Sequence, residues 1–470
     1  MNTRSQAGSP LQAVGLGASV GILWLLFLLV AAAAGPTVYW HAASSGLPSD
    51  VEALAAAPLS PAVLYAGTWG NGVYRSVDHG ATWQPASTGI TLPLSVQGGL
   101  AVNPITPMVL YAGDYYGGGL YRSTNGGDSW GLVLPGAAVR AVAVHPLTPA
   151  IVLAGDREQG IYRSADGGDT WTPISATQGL TDPHVRALAF APATPNVVYG
   201  GASQFLFRST DAGQTWTVRG VLSSTVQALA VHPVTSSLVY AGTFNHGLSR
   251  STDSGATWSQ LTNGLPADAW VTSLAIHPVT PTILYAGTWD GQVYRTTDGG
   301  ASWEGLGYLG YVYSVLIHPT APSVLYAATS NNGVFRGSTL HHLTFDPIAS
   351  PQHVHHPFPI TITACDELGF PLTGPSQGEL VALAEADPAL AQTLTAGGFN
   401  GTAALTDTTG TITPTRVTFS NGVATAGVII ALPVTADTIT VTIPAGPAVT
   451  SNPFDVVWYR VYLPLLRKNE

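Results

Sequence analysis

The chain has 470 residues, of which only 9% are charged, with a formal net charge of −10 and one lysine, Lys468. So few cations, with no basic stripe, argue against a nucleic-acid partner. A single cysteine, Cys365, excludes an internal disulfide and leaves stability to packing.

Residues 15–34 carry no charge and are long enough to span a bilayer, with Arg4 ahead of them. The small residues Ala32 and Ala34 before Gly35 also suit a cleavage site. Residues 1–35 therefore read equally as a cleaved secretory signal or as a retained membrane anchor. Either way the rest is exported, secreted or held at the cell surface.

From residue 37 to 337 one phrase recurs. Ser76-Val-Asp78-His-Gly80-Ala-Thr82-Trp83 has five further copies, closing at Trp130, Trp171, Trp216, Trp258 and Trp303, 41 to 47 residues apart. A period of this size marks a repeat architecture. Each copy follows two other phrases, clearest in Leu274-Ala-Ile-His277-Pro278 and Leu284-Tyr285-Ala286-Gly287. Their proline recurs seven times, at Pro58, Pro104, Pro146, Pro192, Pro233, Pro278 and Pro319. Short apolar runs broken by Gly, Pro, Asn and Asp predict four strands per unit. Such a sheet cannot cover both its faces alone; seven arranged radially cover one another, as in a β-propeller. In the repeated phrase Asp accepts hydrogen bonds from its own turn, Gly supplies a positive φ, and Trp packs between blades.

The seventh unit lacks the phrase: Phe335-Arg336 runs on into Gly-Ser-Thr-Leu-His-His. Its missing strand is predicted at the other end. Trp40 stands before Gly46-Leu47-Pro48 at the same offset as Trp258 before Gly264-Leu265-Pro266, so residues 37–43 should pair beside 333–337 and close the ring.

Residues 338–357, rich in Pro and His, read as a linker. Residues 358–457 alternate β-branched residues with turn signals and read as a sandwich, with a helical insertion at 375–396. Residues 458–470 form an apolar tail with a basic end. Cys365 reads as a small buried apolar residue, and the expected state is a monomer.

The repeated phrase resembles the Asp-box, or bacterial neuraminidase repeat, of sialidases, xyloglucanases, sortilin-type receptors and photosystem II assembly factors. Residues 358–457 resemble bacterial immunoglobulin-like spacers. The fold class implied is all-β: a seven-bladed β-propeller closed by an N-terminal strand, plus a C-terminal Ig-like β-sandwich. The resemblance further implies that ligands meet the face opposite the Asp-boxes. There, the residue six before each repeat proline (Glu52, Gly98, Arg140, Arg186, Gln227, Thr272 and Tyr313) opens an innermost strand, and together they should ring the channel mouth. Trp69, Tyr115, Tyr116, Phe244, Trp270 and Trp289 fall in nearby loops and offer aromatic surface for a sugar or a protein. Arg140 and Arg186 beside Glu52 favour an anionic or zwitterionic group.

Two functions follow. The first is a recognition or scaffold protein for a glycan or protein ligand, needing no cofactor. The second is a glycoside hydrolase, which requires two carboxyl groups across the scissile bond; Asp114, Asp156 and Asp290 are candidates. His145, His232, His277 and His318 stand beside repeat prolines and read as turn caps, while His353 and His355 in the linker have no acidic or cysteine partners at fixed spacing. No metal site is therefore expected.

Overall fold

The computed structural model describes residues 37–349, 352–353 and 358–372, and beyond these 401–407, 412–420, 423–428, 434–442, 448–451 and 454–457. The segment 1–35, the insertion at 375–396 and the tail at 458–470 lie outside the described residues. Among the described residues no helix is long and apolar enough to cross a membrane.

Seven four-stranded antiparallel sheets lie between Tyr39 and Ser338. The first blade comprises Val51–Ala56, Leu64–Thr68, Gly72–Ser76 and Gln84–Pro85. The seventh comprises Val312–Ile317, Val324–Thr329, Gly333–Ser338 and, as its outer strand, Tyr39–Ala42. Trp40 pairs with Gly337 and Ala42 with Phe335, so the seam lies where the repeat phase placed it. First strands of successive blades pack side by side, and that of blade one lies against that of blade seven.

The spacing of the blades is set by a glycine. The last residue of the Tyr-Ala-Gly phrase has no room for a side chain: a Cβ on Gly67, Gly113, Gly201, Gly242 or Gly287 would stand 2.4 to 2.7 Å from the valine that opens the next blade. Those valines are Val96, Val139, Val226, Val271 and Val312, all fully buried. At the seam Ala328 takes the glycine's place and shares a core cluster with Val51.

The Asp-box turns fasten the blades to one another as well as to themselves. In the first, Asp78 accepts from the Thr82 amide (2.9 Å), the Thr82 hydroxyl (2.6 Å) and the Ser76 hydroxyl (2.7 Å). The same bonds from Thr170 hold the exposed Asp166 carboxyl well below the usual range. The turn's carbonyl is then free to accept from the preceding blade. Gly126 O receives Tyr65 Oη (3.1 Å) and Arg75 Nη1 (2.8 Å), and Gly167 O receives Tyr111 and Arg122 in the same way. Trp83 donates to Ala43 O and Trp130 to Ala86 O, both behind the outer strand of the preceding blade.

Beyond the propeller, Phe358–Cys365 pairs with His342–Phe345 and Val423–Val428, while Gly401–Asp407 pairs with Arg416–Phe419 and Ile439–Thr442. Leu343, Ile360, Ile362, Leu405, Val417, Phe419, Val428, Ile439 and Val441 from these strands share one core. The linker reading of 338–357 is thereby corrected for part of its length. His342–Phe345 is a strand of this domain because Leu343, flanked by polar residues, inserts into its core; Gln352–His353 pairs with Phe454–Val457. Cys365 is buried, and burial pushes its thiol up.

The two domains meet at the seam. Arg336 holds the position from which other blades reach the next Asp-box, but its Nη2 binds Asp366 at 2.5 Å and its guanidinium lies 3.9 Å from the Phe370 ring centroid. Tyr326 still donates to His79 O (2.8 Å), closing the ring of turn contacts. His79 adopts φ 58°, where the other copies carry Gly, Ala or Ser, and places its Nδ1 3.0 Å from His318 Nε2. His318 Nδ1 accepts the Ala321 amide (3.0 Å), so its proton sits on Nε2, beside His79 Nδ1, with the Pro61 backbone as a further partner of the ring. Neither ring takes up a second proton without losing a bond. Burial, then the neighbouring His79, depresses His318 to about 4; burial, then Arg336, lowers His79.

Two outcomes follow. Gly287→Ala places a Cβ 2.7 Å from Val312 Cγ1 and should lower stability by about 1–3 kcal/mol in denaturant titration, with Val312→Ala in the same chain restoring part of the loss. The histidine pair, neutral when folded, contributes stability that is whole above pH 6.5 and lost as pH falls towards 4, because the unfolded chain then binds more protons. Melting curves across that window should show a shallower acid loss for the double variant His79→Asn, His318→Asn. Asn103 already caps the equivalent turn in blade two, so that cap is preserved.

Candidate ligand-binding site

The channel mouth is built from β-bulges. In blade one Val51 pairs with Thr68 and Ala53 with Gly67, so Glu52 between them has no partner. The same register shift isolates Arg140, Gln227, Thr272 and Tyr313. A bulge re-aims the extra residue's side chain. Each stands directly after the valine locked against the preceding blade, so its backbone is fixed by packing while its side chain is free to vary. All seven ring positions line one cavity of about 330 Å³, together with Gln97, Tyr115, Thr225, Phe244, Trp270 and Trp289.

Gln97 was invisible to the repeat count. Blade two has one more residue between its valine and its proline, Val96 to Pro104, than blade one has between Val51 and Pro58. Counting back from the proline therefore lands on Gly98, whereas Gln97 follows the packed valine. Gln97 carries the polar network of the site: its amide donates to Glu52 Oε1 (3.4 Å) and its carbonyl accepts from Arg140 Nη1. Arg140 Nη2 donates in turn to Gln227 Oε1 at 2.8 Å. Arg140 and Arg157 both lie over the Tyr115 ring, at 5.4 and 4.9 Å.

Three buried polar atoms of the lining have no hydrogen-bond partner among the described residues: Glu52 Oε2, Arg186 Nε and Trp270 Nε1. Glu52 is only 2% exposed. Burial pushes its carboxyl up to about 7, against the attraction of Arg140 and with help from Asp50. Burial, and then Arg186, lowers Arg140 to about 10.

One wall is a continuous aromatic stack. Phe244 meets Trp270 edge-on at 4.5 Å, Trp270 stacks on Trp289 at 4.4 Å, and Trp289 stacks on Tyr311 at 4.9 Å. The loop after a second strand is tied by its first amide to the residue before the first strand, as in Trp289 N to Trp270 O (2.9 Å), which brings these rings together. Tyr311 was missed in the sequence, although it precedes Val312 as Trp270 precedes Val271. Trp69 is not brought into the cavity; it is 43% exposed and meets Tyr116 edge-on at 5.4 Å.

The three candidate catalytic aspartates do not line the cavity. Asp114 accepts the Ser95 and Gly118 amides, one on each oxygen. Asp156 accepts those of Glu158 and Gln159 on Oδ1 and of Ala138 on Oδ2, all within 2.8 Å. Both are buried clasps that tie the loop after a blade's second strand to the segment entering its first. Asp290 lies at an exposed turn and accepts from Thr288 Oγ1 and the Gln292 amide. Glu52 is the single carboxylate of the lining among the described residues. The histidines beside the repeat prolines cap turns, as in His145 Nδ1 with the Thr148 amide at 2.9 Å and His277 with Thr280 at 2.9 Å.

A family model described as Sortilin-Vps10, "Sortilin, neurotensin receptor 3", matches residues 204–308. The chain carries an Asp-box β-propeller. No curated protein matches the sequence. Among solved structures it is similar to the GH74 xyloglucanase of Xanthomonas campestris, with TM-score 0.53 and 18% identity over 72% of this chain and 62% of that one. It is also similar to the extracellular domain of a putative hybrid two component system of B. thetaiotaomicron, with TM-score 0.52 and 16% identity over 69% and 45%. YCF48 bound to D1 peptide gives TM-score 0.50 and 16% identity over 64% and 97%. The chain spans about six-tenths of the length of the xyloglucanase it matches, and at these identities the likeness is one of fold.

If Asp156 is a clasp, Asp156→Ala strands three amide donors and should lower stability by about 3 kcal/mol, read as a drop in melting temperature. Asp290→Ala, at an exposed turn, should stay within about 0.5 kcal/mol of the parent.

Proposed function

We propose that this chain is an exported recognition protein whose propeller receives an acidic segment of a partner protein at the channel mouth. The observation that carries this reading is one cavity lined by Arg140, Arg186 and aromatic rings, three of whose lining residues, Glu52, Arg186 and Trp270, each keep a buried polar atom without a partner among the described residues. Such atoms cost about 1–3 kcal/mol each unless a ligand meets them. Two guanidinium groups of the lining, Arg140 and Arg186, with no salt bridge among the described residues, favour an anion.

A protein segment is favoured over a glycan by the aromatic wall. A sugar stacks on an open ring face, but Trp270 lies between Phe244 and Trp289, and Trp289 between Trp270 and Tyr311. What remains is an apolar wall of ring edges suited to side chains. The YCF48 neighbour bound to D1 peptide is consistent with this use of the fold. A glycan is the second reading, supported by the exposed Trp69 and Tyr116 on the rim. Hydrolysis is disfavoured by a lining with one carboxylate, since the reaction needs two. The uncharged stretch 15–34 supports export, and the C-terminal β domain then serves as an immunoglobulin-like spacer.

Peptide and glycan arrays probed with the full chain test this. An arrayed acidic peptide should bind and lose at least tenfold in affinity on Trp289→Ala, and on Arg186→Ala with melting temperature unchanged. Binding confined to glycans, or equal binding by both variants, would overturn the reading.

A further inference from the structure

Glu52 is an odd residue for a site that attracts anions. It is 2% exposed, it is the bulge residue of blade one, and one of its oxygens has no partner although it lines the cavity. Its surroundings explain what form it takes. Arg140, from blade three, does not pair with it directly: Gln97 stands between them, giving its amide to Glu52 Oε1 and its carbonyl to Arg140. Arg140's other amine goes to Gln227, a neutral group. Asp50, two residues earlier, adds a like charge but is itself bound by Ser330 Oγ (3.0 Å) and the Asn331 amide (2.8 Å). From blade seven Tyr313 lines the same cavity and is held in its neutral form by burial first and by Glu52 second, while Tyr116 of blade two stays exposed on the rim. Arg186 lines the same cavity and acts on Arg140. Arg157 is drawn towards Tyr115 and Glu158.

We propose that Glu52 receives the ligand as a neutral carboxylic acid, donating its proton in a hydrogen bond to a carboxylate of the ligand that Arg186 holds from the other side. This rests on the reading of the channel mouth as a site for an acidic segment, and adds how that site is regulated. The proton balance is simple. When Glu52 is already protonated, binding moves no proton to or from solvent; when it is ionised, one proton is taken up with the ligand. Two carboxylates left facing each other would repel, so an ionised Glu52 opposes the acid that the arginines attract. Because Glu52 is pushed up to about 7, the change falls near neutrality, where Asp and Glu side chains and chain ends of a ligand stay ionised. Recognition is therefore strengthened by mild acid and weakened by mild alkali. Gln97 occupies Oε1, and Oε2 is the oxygen of Glu52 without a partner among the described residues.

Matched probes separate the chemistry from its source. Indole-3-acetate and indole-3-acetamide represent a free acid and its neutral counterpart. A tryptophanyl-glutamate dipeptide blocked at both ends and its glutamine analogue represent a segment. Calorimetric titration of the full chain from pH 6.0 to 8.5 should show each acid binding at least tenfold tighter than its amide at pH 6.0, and weakening about tenfold by pH 8.5. Glu52→Gln, which keeps a donor but does not titrate, should retain the affinity of pH 6.0 across the range. Equal binding of acid and amide would overturn the proposal, and so would acid preference with no pH slope in the parent. Failure of all four probes beside retained binding of an arrayed peptide would also overturn it while leaving the recognition reading intact. Discrimination by indole-3-acetate alone would support the role of Glu52 and overturn the protein-segment reading.

Discussion

A close approach repeated round the propeller, a valine seated where a neighbouring glycine has no side chain, fixes the distance between blades and therefore the width of the channel. Gly67 with Val96, Gly113 with Val139 and Gly287 with Val312 are instances of one contact repeated around the ring. The residue after each such valine is a bulge or its equivalent, pointing to the axis with its backbone already determined. Packing and recognition are thus assigned to adjacent residues. The valine does not vary because the glycine admits nothing larger in its place; the next residue varies freely, from Glu52 through Arg140 and Gln227 to Tyr313.

The same division of labour explains the Asp-box. Its aspartate satisfies the amides and hydroxyls of its own turn, which leaves a carbonyl for the tyrosine and arginine of the blade before it. Tyr199 instead donates to Ser236 O and Arg295 turns to Glu304, and at the seam the arrangement is altered again. Arg336 is turned away to Asp366 and Phe370, and His79 enters the turn at a backbone angle glycine would adopt more readily. The last arginine of the series therefore anchors the second domain.

Much of this was legible in the sequence because a repeat reports each structural role several times. Seven prolines and six Asp-boxes set the number of sheets, and the shared offset from Trp40 and from Trp258 to Gly-Leu-Pro located the seam. Reasoning from period failed where one residue was inserted, so Gln97 went unseen behind Gly98. It also failed where the role of a side chain depends on which loop lies against it. Asp114 and Asp156 look available in a loop, yet amides from neighbouring segments occupy their oxygens. His342–Phe345 was hidden by its Pro- and His-rich surroundings, although the apolar Leu343 is what places it in a sheet.

Tyr39 and Ser338, the first strand residue and the last of the ring, are direct partners in one sheet. Mechanical tension applied between the two ends of the propeller would enter and leave at that single strand pair and travel no further round the circle. The cavity would keep its dimensions under load, and rupture would begin by peeling Tyr39–Ala42 from its neighbour, one rung at a time.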